Sequence, residues 1–189
     1  MANNKIVIDL DRCMGCDSCT VACMQENRVD LGRRYTKVLE VGPYGEFPHA
    51  QRYFLPVKCQ HCLNAPCVRV CPTKASYKRG DGITLVDHTR CIGCQYCAMA
   101  CPYGVRSYNH DTGVIEKCTL CSHLIDAGKT PACVDICPGH ARLFGDLDDP
   151  SSEAAQAIAS AGDGSVHHLA DVGNKPGEAF ILTRQAWRS

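Results

Sequence analysis

Apolar residues along this chain come in short bursts rather than long stretches. KIVIDL (5–10), QRYFLPV (51–57), GITLVD (82–87) and GVIEK (113–117) are rich in β-branched or aromatic residues, and each leads into a group of cysteines. Runs of this kind predict short strands. Arg79-Gly-Asp-Gly82 and His110-Asp-Thr-Gly113 read as hairpin turns beside two of them. The stretch 149–162 differs: a capping aspartate, a proline at the first helical position, helix formers and a closing glycine predict a helix over about 150–161. Nowhere are there about 18 consecutive apolar residues, so no membrane-spanning helix is expected.

Composition shifts the question from packing to chemistry. The 45% hydrophobic content of these 189 residues includes 16 cysteines, so the aliphatic core is thin and something else must hold the fold. Cysteine at this level implies a disulfide or metal scaffold. Lys plus Arg (20) and Asp plus Glu (20) cancel with no basic run, which argues against a nucleic-acid partner. The start, MANNKIVIDLD, lacks the basic and apolar regions of a secretory signal. Arg33-Arg34 follows the first cysteine group with no apolar segment behind it, and reads as solvated surface.

The cysteines fall into four runs of four. Run one (Cys13, Cys16, Cys19, Cys23) and run three (Cys91, Cys94, Cys97, Cys101) are spaced C-x2-C-x2-C-x3-C; run two (Cys59, Cys62, Cys67, Cys71) is C-x2-C-x4-C-x3-C, and run four (Cys118, Cys121, Cys133, Cys137) is C-x2-C-x11-C-x3-C. Thiols two residues apart are poor disulfide partners. Structural zinc draws on two C-x2-C knuckles, leaving a zinc-organised interaction module as a remote alternative that lack of colour would reveal. The spacing matches the bacterial ferredoxin signature for a [4Fe-4S] cubane, in which three cysteines wrap one cluster and the fourth ligates its neighbour.

An internal repeat suggests which runs are partners. IVIDLDRCMGCDSCTVAC (6–23) matches TLVDHTRCIGCQYCAMAC (84–101), while VKCQHC and APCVRVCP of run two match EKCTLC and PACVDICP of run four. The expectation is an α+β fold of two interleaved bacterial-ferredoxin-like units, with short strands, hairpins and short helices around four cubanes, followed by a cysteine-free C-terminal extension. The first unit takes 1–50 and 80–112, the second 51–79 and 113–145, and the extension 146–189. Crossing of the fourth ligand then predicts four clusters: Cys13, Cys16, Cys19 with Cys101; Cys91, Cys94, Cys97 with Cys23; Cys59, Cys62, Cys67 with Cys137; and Cys118, Cys121, Cys133 with Cys71.

Residues around the runs carry less information. Arg12, Lys58, Arg90 and Lys117 each precede a first cysteine. Since an oxidised cubane with four thiolates carries about −2, four clusters would bring the chain to about −8, and these cations could raise cluster potentials. Gly15 and Gly93 suit tight backbone geometry, His61 a hydrogen bond near a cluster rather than ligation, His167-His168 solvated surface, and Trp187 packing. Proline follows Cys71, Cys101 and Cys137, but Met24 follows Cys23, so the chain there is free to continue through another helical turn. No Ser-His-Asp set, phosphate loop or carboxylate pair stands out, so a non-catalytic electron relay is expected.

The order and spacing of the four runs, CIGCQYCAMACPYG, and KCTLC followed by GKTPACVDICPGHARLFGDLDDP resemble the four-cluster iron-sulfur subunits of DMSO reductase-type molybdenum or tungsten oxidoreductases. The tail HHLADVGNKPGEAFIL adds to the likeness, and Gly139-His140 is a small departure. The resemblance implies a large catalytic subunit that alone carries the molybdopterin cofactor, and a membrane anchor exchanging electrons with quinone. It also implies export to the extracytoplasmic face of the membrane through the partner's signal, with a cytoplasmic location as the alternative. A polyferredoxin-type relay for a hydrogenase or formate-oxidising complex is the second functional reading.

Overall fold

A computed structural model describes residues 3–162 and 164–188. KIVIDL forms β1 (Asn4–Asp9), and run one continues into α1 (Ser18–Glu26). A long antiparallel hairpin follows, β2 (Thr36–Tyr44) and β3 (Gln51–Lys58). The middle of the chain contributes α2 (Pro66–Arg69), the hairpin β4 (Ser76–Lys78) and β5 (Thr84–Val86), α3 (Tyr96–Met99), and the hairpin β6 (Ser107–Asn109) and β7 (Val114–Glu116). Then come α4 (Ser122–Asp126), α5 (Ala132–Asp135), β8 (Arg142–Asp146), α6 (Glu153–Ala161), β9 (Val166–His167) and β10 (Ala179–Ile181). All four apolar runs thus become strands, and 79–82 and 110–113 lie at the hairpin turns.

β1 is the centre of the only four-stranded sheet among the described residues, in the order β8-β1-β10-β9. It runs antiparallel to β8 and parallel to β10. Its period of two divides the core. Ile6, Ile8 and Leu10 face the cysteine-bearing body with Cys19, Cys23, Leu55, Cys118 and Phe180, whereas Val7 packs with Leu143, Ala154, Ala179 and Ile181 under α6. The C-terminal residues are therefore woven into the fold through β10. Ser152, not Asp149, caps α6: its Oγ accepts a 3.2 Å bond from the Ala155 N–H, while Asp149 accepts from the Ser151 N–H in the preceding turn. Pro150 accordingly lies outside the helix.

The helices that carry cysteines differ in length for the reason visible at Met24. α2, α3 and α5 each stop after four residues, with Cys-Pro two residues beyond the last. α1 runs for nine residues, through Cys23 and Met24 to Glu26, and Asn27 closes it. Pro72, Pro102 and Pro138 disfavour helical geometry in the preceding cysteine; Met24 does not.

The expected pairing of runs one with three and two with four is not the one adopted. β1, which leads into run one, pairs with β8, which follows run four, and α1 packs on α5. Run three instead folds back onto run two through β4 and β5, and α2 packs on α3. Runs one and four lie together, as do runs two and three, so the boundaries 1–50 with 80–112 and 51–79 with 113–145 do not describe spatial units. Likeness of sequence marks equivalent positions in a duplicated unit; strand and helix pairing decides which positions meet.

Candidate metal centres

Each run bends its first two thiols inward through a residue in the left-handed region. Gly15 (φ 70°) and Gly93 (φ 68°) take that place in runs one and three, and His61 (φ 42°) and Leu120 (φ 56°) in runs two and four. A side chain at Gly15 would strike the Phe54 ring, and one at Gly93 the carbonyl of Gly113. Both glycines therefore answer to space as well as to φ.

The sixteen sulfurs gather into four quartets. Cys13, Cys16 and Cys19 ring a cavity that Cys137 completes, and Cys59, Cys62 and Cys67 ring a second with Cys101. Cys91, Cys94 and Cys97 share a third with Cys71. Cys23 joins Cys118, Cys121 and Cys133: burial, and then the charges of these three sulfurs, push its thiol pKa up. Crossing of the fourth cysteine is present in every quartet, but its partner is not the expected one. Cys137 replaces Cys101 beside run one, Cys101 replaces Cys137 beside run two, Cys71 replaces Cys23 beside run three, and Cys23 replaces Cys71 beside run four. The cause is the pairing of β1 with β8 and of α2 with α3.

These quartets suit iron-sulfur cubanes better than lone ions. Among the described residues no three Cys, His, Asp or Glu side chains converge closely enough to hold one metal ion. A zinc tetrahedron needs such convergence, while a cubane takes one thiolate at each of four separate corners. Donors already aim at the sulfurs: the N–H groups of Ser76, Leu120 and Ala141 reach Cys71, Cys118 and Cys137 at 3.4, 3.4 and 3.3 Å. Asn174 Nδ2 donates to Cys62 Sγ at 3.1 Å and to Tyr103 Oη at 2.7 Å. Such bonds favour the anionic sulfur and tune a cluster's potential. Burial works the other way on free thiols, pushing Cys118 up to about 12 and Cys62 up to about 11. Bound metal would take the place of those protons.

Exposure grades along the set. All four cysteines of the quartet Cys23, Cys118, Cys121, Cys133 are buried, as are Cys59, Cys62 and Cys67. Cys16 and Cys94, in the other two quartets, are exposed. Adjacent quartets are in electrostatic reach: Cys133 raises the pKa of Cys19, and Cys59 that of Cys118, each behind the larger effect of burial. Cys67 and Cys97 share one apolar cluster. The quartets thus form a row, running from Cys13, Cys16, Cys19, Cys137 through the two buried sets to Cys71, Cys91, Cys94, Cys97.

The cations that precede the runs divide into two kinds. Lys58 and Lys117 are buried, whereas Arg12 and Arg90 are exposed. Lys58 Nζ lies 2.6 Å from Glu178 Oε2, both side chains fully buried, and the Lys117 ammonium donates to the carbonyls of Thr84 and Cys118. His61 makes a hydrogen bond beside the second run, its Nδ1 accepting the Thr84 N–H at 3.0 Å. Burial, then Lys117 and Lys58, hold its pKa well below the usual value, so the ring is neutral. His167 stacks on Trp187, with centroids 4.9 Å apart, and Trp187 also packs near Tyr53 and Phe180. Sequence reasoning missed Asn174, Glu178, Arg106 and Arg142. The last two share a signal that could have found them, the fifth place after a run's last cysteine.

Two family models, both described as 4Fe-4S dicluster domain, match residues 5–72 and 50–147. The chain is 42% identical, over 96% of its length and 79% of the relative's, to a Halobacterium salinarum protein provisionally named as an iron-sulfur subunit of dimethyl sulfoxide reductase. It is 48% identical to a tetrathionate reductase subunit of Salmonella typhimurium, over 81% of this chain and 62% of that one. It is 39% identical to a sulfite dehydrogenase subunit of Allochromatium vinosum, over 98% and 85%. The quartets and these relatives agree: the chain belongs to the 4Fe-4S dicluster family, as an iron-sulfur electron-transfer subunit of the DMSO reductase type of molybdopterin oxidoreductase.

Proposed function

We propose that each quartet holds one [4Fe-4S] cluster: Cys13, Cys16, Cys19 with Cys137; Cys23 with Cys118, Cys121, Cys133; Cys59, Cys62, Cys67 with Cys101; and Cys71 with Cys91, Cys94, Cys97. Two ferredoxin-like units follow, one from runs one and four and one from runs two and three. Bound clusters supply one-electron chemistry at potentials set by their surroundings. The protein's part is to supply sixteen thiolates, aim N–H donors at them, bury the middle of the row and leave its ends accessible. The observation that carries this reading is the row itself, four quartets with exposed sulfur only at the two ends.

In that role the chain passes single electrons between a molybdenum or tungsten bis-pyranopterin catalytic subunit and a quinone-linked membrane subunit or other redox partner. Molybdopterin belongs to the catalytic partner. No helix of the described residues is long and apolar enough to cross a membrane; in this reading a separate subunit supplies the anchor. The complex is placed at the extracytoplasmic face, carried there by the partner's signal; protease access in intact spheroplasts tests that placement. Anaerobic purification with metal and sulfide analysis tests the function. About sixteen irons per chain and copurifying molybdenum or tungsten are expected, and iron near eight, or a complex without either heavy metal, would overturn it.

A further inference from the structure

Two buried arginines have no carboxylate to pair with among the described residues. Arg142 is 3% exposed and Arg106 9%. Neither forms a salt bridge among the described residues, and Nη2 of each has no hydrogen-bond partner. A guanidinium stays protonated, so burying it without counter-charge is strongly unfavourable. Lys58, by contrast, has Glu178, and Lys117 has two carbonyl oxygens.

Both arginines hold the same place in the repeat, the fifth residue after a run's last cysteine, in CPYGVR (101–106) and CPGHAR (137–142). That place puts each between two quartets. Arg142 lines the cavity of Cys13, Cys16, Cys19 and Cys137, and its Nη1 reaches Cys133 Sγ of the neighbouring quartet at 3.6 Å. Arg106 lines the cavity of Cys59, Cys62, Cys67 and Cys101. Its Nη1 donates at 3.0 Å to Ser76 Oγ, and Ser76 lines the cavity of Cys71, Cys91, Cys94 and Cys97. Ser76 is itself the fifth residue after Cys71.

We infer that Arg142 and Arg106 are shared counter-charges, each serving the two clusters of one unit and setting their potentials as a pair. This rests on the ligand sets proposed above. Reduction adds an electron to a site that is already negative, so a fixed cation and its N–H donors favour the reduced form of both neighbours. Such sharing explains how an unpaired guanidinium is tolerated twice in one small chain.

The test is a redox titration of the four couples, followed by electron paramagnetic resonance, in the intact complex carrying Arg142→Met, Arg106→Met or neither. Each variant should lower two couples by about tenfold in the reduction equilibrium, about 59 mV for one electron. The two variants should move different pairs. If a methionine variant loses iron, the lysine variant decides: iron restored by lysine supports the counter-charge, and equal loss from both overturns it. Full iron with unmoved potentials, or both variants moving the same couples, also overturns it. Wild-type complex without four titrating [4Fe-4S] signals would instead refute the ligand sets.

Discussion

Replacing Glu178 with alanine strands the Lys58 ammonium in an interior where both side chains are fully buried. At their 2.6 Å separation, the gross attraction is about 6 kcal/mol for an effective dielectric of about 20. Most of that offsets the cost of drying two ions. The observable quantity is the cost of leaving one behind, about 3 to 5 kcal/mol. The surroundings soften each single variant. Lys58 also faces the Cys118 and Cys133 sulfurs, so in Glu178→Ala it keeps some negative company and the cost falls near the lower end. In Lys58→Ala the carboxylate keeps the buried Lys5 ammonium within electrostatic reach, so that cost is softened as well. Cofactor-bearing chains seldom unfold reversibly, so a rate is the better measure. Anaerobic denaturant-jump bleaching of the cluster colour should accelerate roughly 100-fold for Glu178→Ala, at about 1.4 kcal/mol per tenfold, if the pair is broken in the unfolding transition state. Lys58→Met with Glu178→Leu together should bleach more slowly than either single alanine variant. The reasoning fails if both single variants stay within about threefold of wild type, the range of a surface pair.

The regrouped quartets predict that Cys137→Ser disturbs the same resonance signal as Cys16→Ser, and Cys101→Ser the same as Cys62→Ser; a common signal for Cys101→Ser and Cys16→Ser would restore the pairing read from the repeat. Asn174→Leu removes the side-chain donor to Cys62 and should lower one couple by a few tens of mV, the equivalent of about 1 kcal/mol for one electron. Tyr103→Phe, which removes the second hydrogen-bond partner of the Asn174 amide, should shift the same couple less, and unmoved potentials in both would remove the tail from the tuning scheme. Burial would raise the Asp11 pKa, but bonds from the Thr183 hydroxyl and the Thr183 and Arg184 N–H groups outweigh it and hold the carboxyl below its ordinary 3.8. A lowered folded pKa gives stability that is full above the unfolded value and lost as pH falls through the folded one. Amide exchange at Thr183 and Arg184 should therefore quicken about fivefold in Asp11→Asn at neutral pH, for a loss of about 1 kcal/mol, and the difference from wild type should shrink as pH falls through the folded carboxyl's titration; a difference independent of pH would contradict it.

Local order was legible wherever a burst of β-branched residues abuts a turn, because both signals act within a few residues. β1, β3, β5 and β7 and two hairpin turns follow from that alone. β2 escaped because exposed Lys37, Leu39 and Glu40 and the Gly42-Pro43 pair blur its alternation; only its pairing with β3 makes it a strand. The nine-residue α1 was legible in Met24. The number and crossing of the quartets were legible in cysteine spacing, since three close thiols cannot complete a cubane alone. The identity of the fourth thiol was not, because β8 sets it from a distance, and RLFGD carries no sign of its partner. Asn174 and Glu178 were equally hidden in a polar tail whose position depends on the parallel pairing of β10 with β1.

The tail also explains how a thin aliphatic core suffices. β10 completes the sheet on β1, Glu178 neutralises Lys58 beside Cys59, and Asn174 closes over Cys62, so one cysteine-free segment supplies apolar cover, counter-charge and a hydrogen bond to the same buried region. The middle of the row needs all three. Seven of its eight cysteines are buried, and a buried cluster without donors or cations would resist taking an electron. The end quartets need less, because solvent reaches Cys16 and Cys94 and screens their charge. Cations are distributed to match. Lys58 and Lys117 are buried beside the two inner quartets, Arg106 and Arg142 are buried between each inner quartet and its end neighbour, and Arg12 and Arg90 at the two ends stand in water. Sequence places a cation before every run, yet only burial decides which of them a cluster can feel at full strength.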